Sequence, residues 1–260
     1  MRIAGKVVLI TGASQGIGAA CARVFSKRGA LLSLLARSAE GLAQVGGERT
    51  LRTAGDVTDA LVRARAVEAT VENFGRIDIL INNAGAGLFL PSVEAPLDAV
   101  RQMFELNLFG MIGMAQLVVP HMRRHGGGSI VNIGSMAGKV TLPWLTLYSA
   151  SKYAVGSFTD GLRMELKRDG IHAMTVCPGY VRTGFTKNVI AGRAPASLGG
   201  DRLFSIDAQA CAEAIARGVE RNARTVVTPR SGWLFIAMER LFPSLVDFHL
   251  TKIYDNGRQA

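Results

Sequence analysis

Lys6-Val-Val-Leu-Ile-Thr-Gly12-Ala-Ser-Gln-Gly16-Ile-Gly18, running on into Ala19-Ala-Cys-Ala-Arg-Val-Phe25, is the stretch that decides the fold. The interior of Lys6–Thr11 is wholly apolar, the pattern of a strand covered on both faces of a parallel sheet. Small and apolar residues at helical spacing follow as far as Gly29. Strand, glycine turn and helix in that order form the context of a dinucleotide-binding turn. The first glycine permits the tight turn, the next lets backbone approach a pyrophosphate, and the helix N-terminus faces its charge. The spacing is G-x-x-x-G-x-G rather than the commoner G-x-G-x-x-G, so the turn by itself reads equally well as a structural one.

The same alternation continues downstream. A second strand, Leu31–Ala36, ends at Arg37-Ser38. A cofactor without a 2′-phosphate is met at this point by an acidic residue on its ribose; here Ala36 and a guanidinium follow, which suit a phosphate. NADP(H) is therefore expected over NAD(H), the alternative being a solvated arginine at a strand end. A short helix at 39–45 and a strand at 50–54 lead to Gly55-Asp56-Val57-Thr58-Asp59. Asp56 can accept from an adenine amino group, and Thr58 or Asp59 caps a helix running to Phe74. Ile77–Ile81 is another buried strand, ending in Asn82-Asn83-Ala84-Gly85, where the asparagines fix a turn that brings backbone near the cofactor. Further strands are expected at 130–134, 171–177 and 224–228, with helices at 107–125, 151–169 and 206–222. No linker, repeat or low-complexity stretch interrupts them. The expected architecture is a single α/β domain over 1–260, a doubly wound parallel sheet of about seven strands with helices on both faces.

Composition bounds the function. An apolar share of 48% and mean hydropathy of +0.23 suit a well-filled core and exclude a disordered chain. Cys21, Cys177 and Cys211 are widely spaced and fit no metal-ligand pattern, so they read as buried small hydrophobes in a reducing compartment, and no metal is expected. The N-terminus enters a strand at once without a signal-peptide layout, which points to the cytoplasm. The longest uncharged run, Leu106 to Pro120, carries Asn107 and reads as a buried helix rather than a membrane span. The formal charge of +10 is dispersed among acids, without the aromatic-interleaved basic stripe of a single-strand binder. Nucleic acid is not expected; a phosphate-rich cofactor, and with it an acidic carrier or anionic membrane, accounts for the charge.

The chemistry is sought at Tyr148-Ser-Ala-Ser-Lys152 and at Ser135 in Asn132-Ile-Gly-Ser-Met-Ala-Gly138. On a helix, residues four apart share a face, so a phenol and an ammonium stand together. The ammonium is expected to draw the phenol pKa down towards working pH and make it a proton donor. Ser135 ends an apolar strand and can aim its hydroxyl at the same oxygen. The bland alternative is an ordinary helix start with a solvated lysine.

Thr11-Gly-Ala-Ser-Gln-Gly-Ile-Gly18, Asp56, Asn82-Asn-Ala-Gly85, Asn107, Ser135, Tyr148-x-x-x-Lys152 and Pro178-Gly179 with Thr183 occur together in this order. In these motifs, which span about residues 5 to 185, the chain resembles the short-chain dehydrogenase/reductase family in its single-domain form of roughly 250 residues. The resemblance implies a Rossmann fold and a catalytic set of Asn107, Ser135, Tyr148 and Lys152. Tyr148 would protonate the carbonyl oxygen as hydride arrives, Ser135 would hydrogen-bond it, Lys152 would keep the phenol acidic and hold the nicotinamide ribose, and Asn107 would hold a relay water. Cofactor contacts are implied for Gly12, Ser14, Gln15, Gly16, Ile17 and Gly18, and for Arg37, Ser38, Asp56 and Val57. The same holds for Asn83, Ala84, Gly85, Tyr148, Lys152, Pro178, Gly179, Val181 and Thr183. Gln15 stands where some NADP-using members have Lys or Arg, which leaves phosphate recognition to Arg37 with Ser14 and Ser38. A homodimer or homotetramer through the long helices is implied as well.

Substrate choice is expected from Gly184 to about Ser205, a lid containing Phe185, Ile190, Pro195, Leu198 and Phe204. Leu88, Trp144, Tyr180 and Phe185 would make an apolar mouth for a bulky hydrophobic carbonyl or alcohol, an acyl, retinoid, steroid or other lipid; the alternative is that they are core and hinge residues. The reaction expected is NADP(H)-dependent interconversion of a carbonyl and an alcohol. A 3-oxoacyl-thioester reductase and a catalytically silent NADP-binding scaffold are the rival readings. The C-terminal extension at 229–260 is rich in large apolar residues and reads as an oligomer or core contact, with an interfacial membrane helix as the lesser reading.

Overall fold

The computed structural model describes residues 1–47, 49–187, 189–193 and 204–258. Seven parallel strands form the central sheet: β1 Val7–Thr11, β2 Leu31–Ala36, β3 Thr50–Ala54, β4 Ile79–Asn82, β5 Gly128–Ile133, β6 Ile171–Pro178 and β7 Thr225–Thr228. Their order across the sheet is β7-β6-β5-β4-β1-β2-β3. The main helices are α1 Gly16–Lys27, α2 Ala60–Phe74, α3 Leu97–Arg124, α4 Thr146–Glu165, α5 Ala208–Glu220, α6 Gly232–Leu241 and α7 Pro243–Arg258.

Side chains alternate across each strand, and the two faces of the sheet gather two cores. Val8, Ile10, Leu32 and Leu34 pack with α1 and α5 on one side, while Leu9, Leu35 and Leu80 pack with α2, α3 and the end of α4 on the other. Both faces being covered explains why the strands read as unbroken apolar runs. Asp78, just before β4, accepts from the Val7 amide at 3.0 Å and from Lys6 at 3.1 Å and Arg76 at 2.6 Å. Burial pushes its carboxyl up, but these hydrogen bonds outweigh burial and hold it below the usual range.

Several boundaries differ from the sequence reading for local reasons. The α4 helix begins at Thr146 rather than Ser151, so Lys152 lies in its second turn. Asp59, not Thr58, caps α2, accepting from the Leu61 amide at 2.8 Å. Two small parallel pairings lie outside the central sheet, Gly87–Phe89 with Val189–Gly192 and Tyr180–Arg182 with Ser205–Asp207. Both are too short to carry a periodicity.

The α3 helix is longer than expected and contains a π-helical turn at Glu105–Phe109. Its 28 residues and a window of mean hydropathy 1.4 are long and apolar enough to cross a membrane, yet 44% of that window is buried in the fold. Met114, Val118 and Met122 fill the core against the sheet, so its apolar character is that of a core helix. The three cysteines are unpaired and buried.

Candidate active site

The strand order reverses at the C-terminal ends of β1 and β4, where connections leave to opposite sides and open a crevice. The glycine turn after β1 is held there by the turn after β4. Asn83 donates its side-chain amide to the Thr11 and Gly12 carbonyls, both at 3.0 Å, and the Thr11 hydroxyl accepts from the Asn83 and Ala84 amides at 3.0 and 3.1 Å. The asparagine fixes the turn, as its position suggested. Gly12 adopts φ +64°, and a Cβ there would meet Ala84 Cα at 2.8 Å. On Gly18 a Cβ would strike the Gly12 carbonyl and come within 2.6 Å of the Asn83 amide. Gly18 therefore works by letting α1 pack against the turn and does not itself line the crevice.

A cavity of about 840 Å³ opens over this turn. Every other residue assigned above to the cofactor lines it, from Gly12, Ser14, Gln15, Gly16 and Ile17 through Arg37, Ser38, Asp56 and Val57 to Pro178, Gly179, Val181 and Thr183. Asp56 is the only carboxylate on the described lining; it accepts from the Thr58 amide and hydroxyl, both at 2.9 Å. Arg37 is exposed at the end of β2 and makes no hydrogen bond or ion pair with the described residues. Ser38 caps the short helix Ala39–Ala43, accepting from the Gly41 amide at 2.9 Å and keeping its O–H free to donate. The Arg37 guanidinium and the Ser38 hydroxyl are donors for an anionic group of a bound nucleotide, with Asp56 just past the end of the neighbouring strand β3.

At the inner end of the cavity stand Ser135, Tyr148 and Lys152. Ser135 is delivered by β5 and caps the 3-10 turn Met136–Gly138, accepting from the Ala137 amide at 3.1 Å. Its hydroxyl also lies near enough to the Tyr148 phenol to favour the ionised form. Lys152 donates to the Ile133 carbonyl at 3.0 Å and lies 5.7 Å from the Tyr148 ring centre. Tyr148 packs against Phe185 with ring centres 5.8 Å apart.

The electrostatics correct one expectation. Burial pushes the Tyr148 phenol up to about 12, opposed only by the nearby Ser135 hydroxyl, and burial pushes the Lys152 ammonium down to about 8. The lysine does not acidify the phenol here, because its own charge is weakened and Nζ is turned to the Ile133 carbonyl. The folded chain thus gives up the Lys152 proton near pH 8, whereas the unfolded chain keeps it to about 10.5. Stability rises with pH across that window, and the penalty is full below it. Tyr148 acts oppositely between 10 and about 12, holding a proton that the unfolded chain releases. Lys152→Met should accordingly raise the stability of the cofactor-free protein at pH 7. The gain is on the order of 2 kcal/mol, taking roughly 3 for the ammonium less about 1 for the lost hydrogen bond. Urea unfolding between pH 7 and 9, below the titration of the buried cysteines, checks it: the rise in stability with pH should be lost in the variant, and an unchanged rise would refute the assignment.

Fully buried in the π turn of α3, Asn107 accepts from the Ala86 amide at 2.9 Å and donates to the Ala86 carbonyl at 3.0 Å and to Ser151 Oγ at 3.1 Å. Both amide hydrogens are used by the protein, while the amide oxygen keeps one lone pair. Ser151 in turn donates to the Tyr148 carbonyl at 2.7 Å. A continuous hydrogen-bonded chain therefore ties the turn after β4 to the helix that carries Tyr148. Ser151 was missed because nothing in Tyr148-Ser-Ala-Ser-Lys152 separates it from the neighbouring serine.

The substrate side is apolar but differs in membership from the expectation. Tyr180 and Phe185 line it, whereas Leu88 is buried behind it and Trp144 stacks at 5.5 Å on Tyr254 without reaching the cavity. Phe89, Val140, Leu142 and Leu145 take their place, and Phe204, Phe235 and Leu250 complete the wall. Phe204 stacks on Phe235 at 5.5 Å. Alternation explains the exchange of Leu88 for Phe89, since neighbours on a strand face opposite ways. Of the expected lid, Pro195 and Leu198 lie outside the described residues. The C-terminal helices enter the site because their inner faces, with Ile236 and Val246, close a core against β7 and Met136.

A family model described as short chain dehydrogenase matches residues 6–194. The chain is similar to 11-beta-hydroxysteroid dehydrogenase-like 3 of Arabidopsis thaliana, at 34% identity over 97% of this chain and 82% of that protein. It is similar to dehydrogenase/reductase SDR family member 7B of Danio rerio, at 36% identity over 73% of this chain and 65% of that protein, and so spans just under two thirds of that relative's length. Among solved structures, a short chain dehydrogenase from Burkholderia cenocepacia in complex with NADP superposes with a TM-score of 0.82 at 28% identity, covering 96% of this chain and 99% of that one. Other solved structures of the same fold carry NAD or NADH.

Proposed function

The chain belongs to the short-chain dehydrogenase family, and on that premise we propose that it interconverts a hydrophobic carbonyl and its alcohol with NADP(H) as hydride carrier. The single observation that carries this reading is the convergence of Ser135, Tyr148 and Lys152 on one largely apolar cavity that also opens over the glycine turn.

When bound, the nicotinamide supplies the hydride in reduction and accepts it in oxidation. The chain's own residues do the rest. Tyr148, protonated at neutral pH by its burial, gives its proton to the carbonyl oxygen. Ser135 Oγ donates to the same oxygen as negative charge develops. Lys152, 5.7 Å from the Tyr148 ring centre and protonated below about pH 8, holds the nicotinamide ribose. Asn107 positions the turn after β4 and, through Ser151, the backbone of Tyr148. The saturated wall of Val140, Leu145, Phe235 and Leu250 excludes water and selects an apolar substrate.

Arg37 supports NADP(H), and the hydrophobic substrate class is supported by the lining and by the hydroxysteroid dehydrogenase named among the relatives. We place a homodimer or homotetramer contact on α3 and α4, whose Phe109, Tyr153 and Met164 are exposed. The +10 charge favours one rival, a reductase of 3-oxoacyl thioesters on an acidic carrier. NADPH oxidation over steroid ketones, retinal, aromatic ketones and acyl thioesters tests the reading. Turnover of a bulky free carbonyl supports it. Turnover of thioesters alone selects the rival, and tight NADPH binding without turnover of any of them selects the silent scaffold.

A further inference from the structure

Seven of the thirteen large apolar side chains that the described residues leave exposed fall within 233–248. They sit on the outer sides of α6 and α7, with Leu234, Leu241 and Phe242 at 68, 70 and 59% exposure and Trp233, Leu245 and Phe248 near half. Within α6, Leu234, Met238 and Leu241 share one face, and within α7, Leu245 and Phe248 share one, with Phe242 at the junction between them. The inner sides are apolar too: Ile236 and Val246 are buried in a core, and Phe235 and Leu250 line the cavity. Helices apolar on both sides are normally covered, and these outer side chains are left uncovered by the described residues.

We propose that this outer surface docks on an anionic lipid bilayer, seating the hydrophobic substrate cavity against the membrane surface. Three features choose lipid as the occupant. A tryptophan and phenylalanines flanked by Arg230, Arg240 and Lys252 are the composition of an interfacial helix. Lys252 lays its ammonium 4.3 Å over the Phe248 ring, the posture of a lysine whose stem follows apolar surface while its charge reaches a wet one. The surplus of ten cations over the whole chain is complementary to lipid phosphate. The same two helices present Phe235 and Leu250 inward, so a substrate dissolved in the bilayer faces the cavity wall across one layer of side chains. That advantage rests on the function proposed above, whereas the docking itself does not.

Flotation of the full chain, without cofactor or substrate, on vesicles of phosphatidylcholine with and without phosphatidylglycerol tests the proposal, so failure here leaves the proposed chemistry untouched. Wild type should float with the anionic vesicles and release as salt is raised. Leu241→Glu with Phe248→Glu should cut partitioning by more than about tenfold. NADPH turnover in detergent-free buffer reports that the variant is folded, since neither residue touches the cavity. Absence of flotation on the anionic vesicles overturns the proposal, as does flotation that the double substitution leaves unchanged. If instead the double substitution converts a larger species to a smaller one in size-exclusion chromatography and the wild type does not float, the surface is a contact between copies and the proposal fails.

Discussion

Tyr148→Phe should lower kcat for carbonyl reduction by about 10² to 10⁴ while leaving NADPH affinity within a few-fold of wild type. The ring keeps its packing against Phe185 at 5.8 Å, so the variant loses one hydroxyl and little else. That hydroxyl is the proton donor nearest the space in front of Ser135, and burial keeps it protonated across the working pH range. Ser135 retains its bond from the Ala137 amide, which preserves the local turn. The fold of the variant should be indistinguishable from wild type by thermal unfolding. Steady-state kinetics with the best carbonyl from the substrate panel decide the matter. A variant that keeps more than a tenth of wild-type kcat would mean that another group delivers the proton, and the assignment of Tyr148 would fall.

Arg37→Ala should reduce kcat/KM for NADPH by roughly ten- to a hundredfold and change that for NADH little. That range follows from losing one charge-assisted hydrogen bond to a 2′-phosphate, worth about 1.5–3 kcal/mol. Because Arg37 is exposed and makes no hydrogen bond or ion pair with the described residues, the substitution should cost the fold little that would confuse the comparison. The ratio of the two efficiencies is the informative quantity. An equal fall with both coenzymes would place Arg37 on a shared part of the nucleotide, and no fall with either would make it a solvated strand end. In both cases the preference for NADP(H) would have to rest elsewhere.

The fold was legible in the sequence because its signals are local. A buried parallel strand shows as an apolar run, a glycine turn as fixed spacing, and a helix as a stripe; each is set by neighbours a few residues apart. Thus Val7–Thr11, the turn to Gly18 and the six strands that follow could be placed before any contact was known. The positions of Ser135, Tyr148 and Lys152 were legible for the same reason, each being tied to the end of a strand or the first turns of a helix.

What the tertiary structure alone decided depends on groups far apart in sequence. Solvent exclusion by surrounding elements, and not the nearby lysine, sets the ionisation of Tyr148. Asn107 is anchored by Ala86 and Ser151, 21 and 44 residues away, which makes it a strut between the turn after β4 and α4. Leu88 and Trp144 are displaced from the cavity by the facing of a three-residue strand and by stacking on Tyr254. Phe235 and Leu250 reach the site only because α6 and α7 fold back on β7 and Met136. The sequence by itself determined the scaffold, the glycine cradle and the identity of the reactive groups, since periodicity and spacing are properties of the chain. Burial, hydrogen-bond saturation and the make-up of the substrate wall are properties of the packed molecule, and only the packing could supply them.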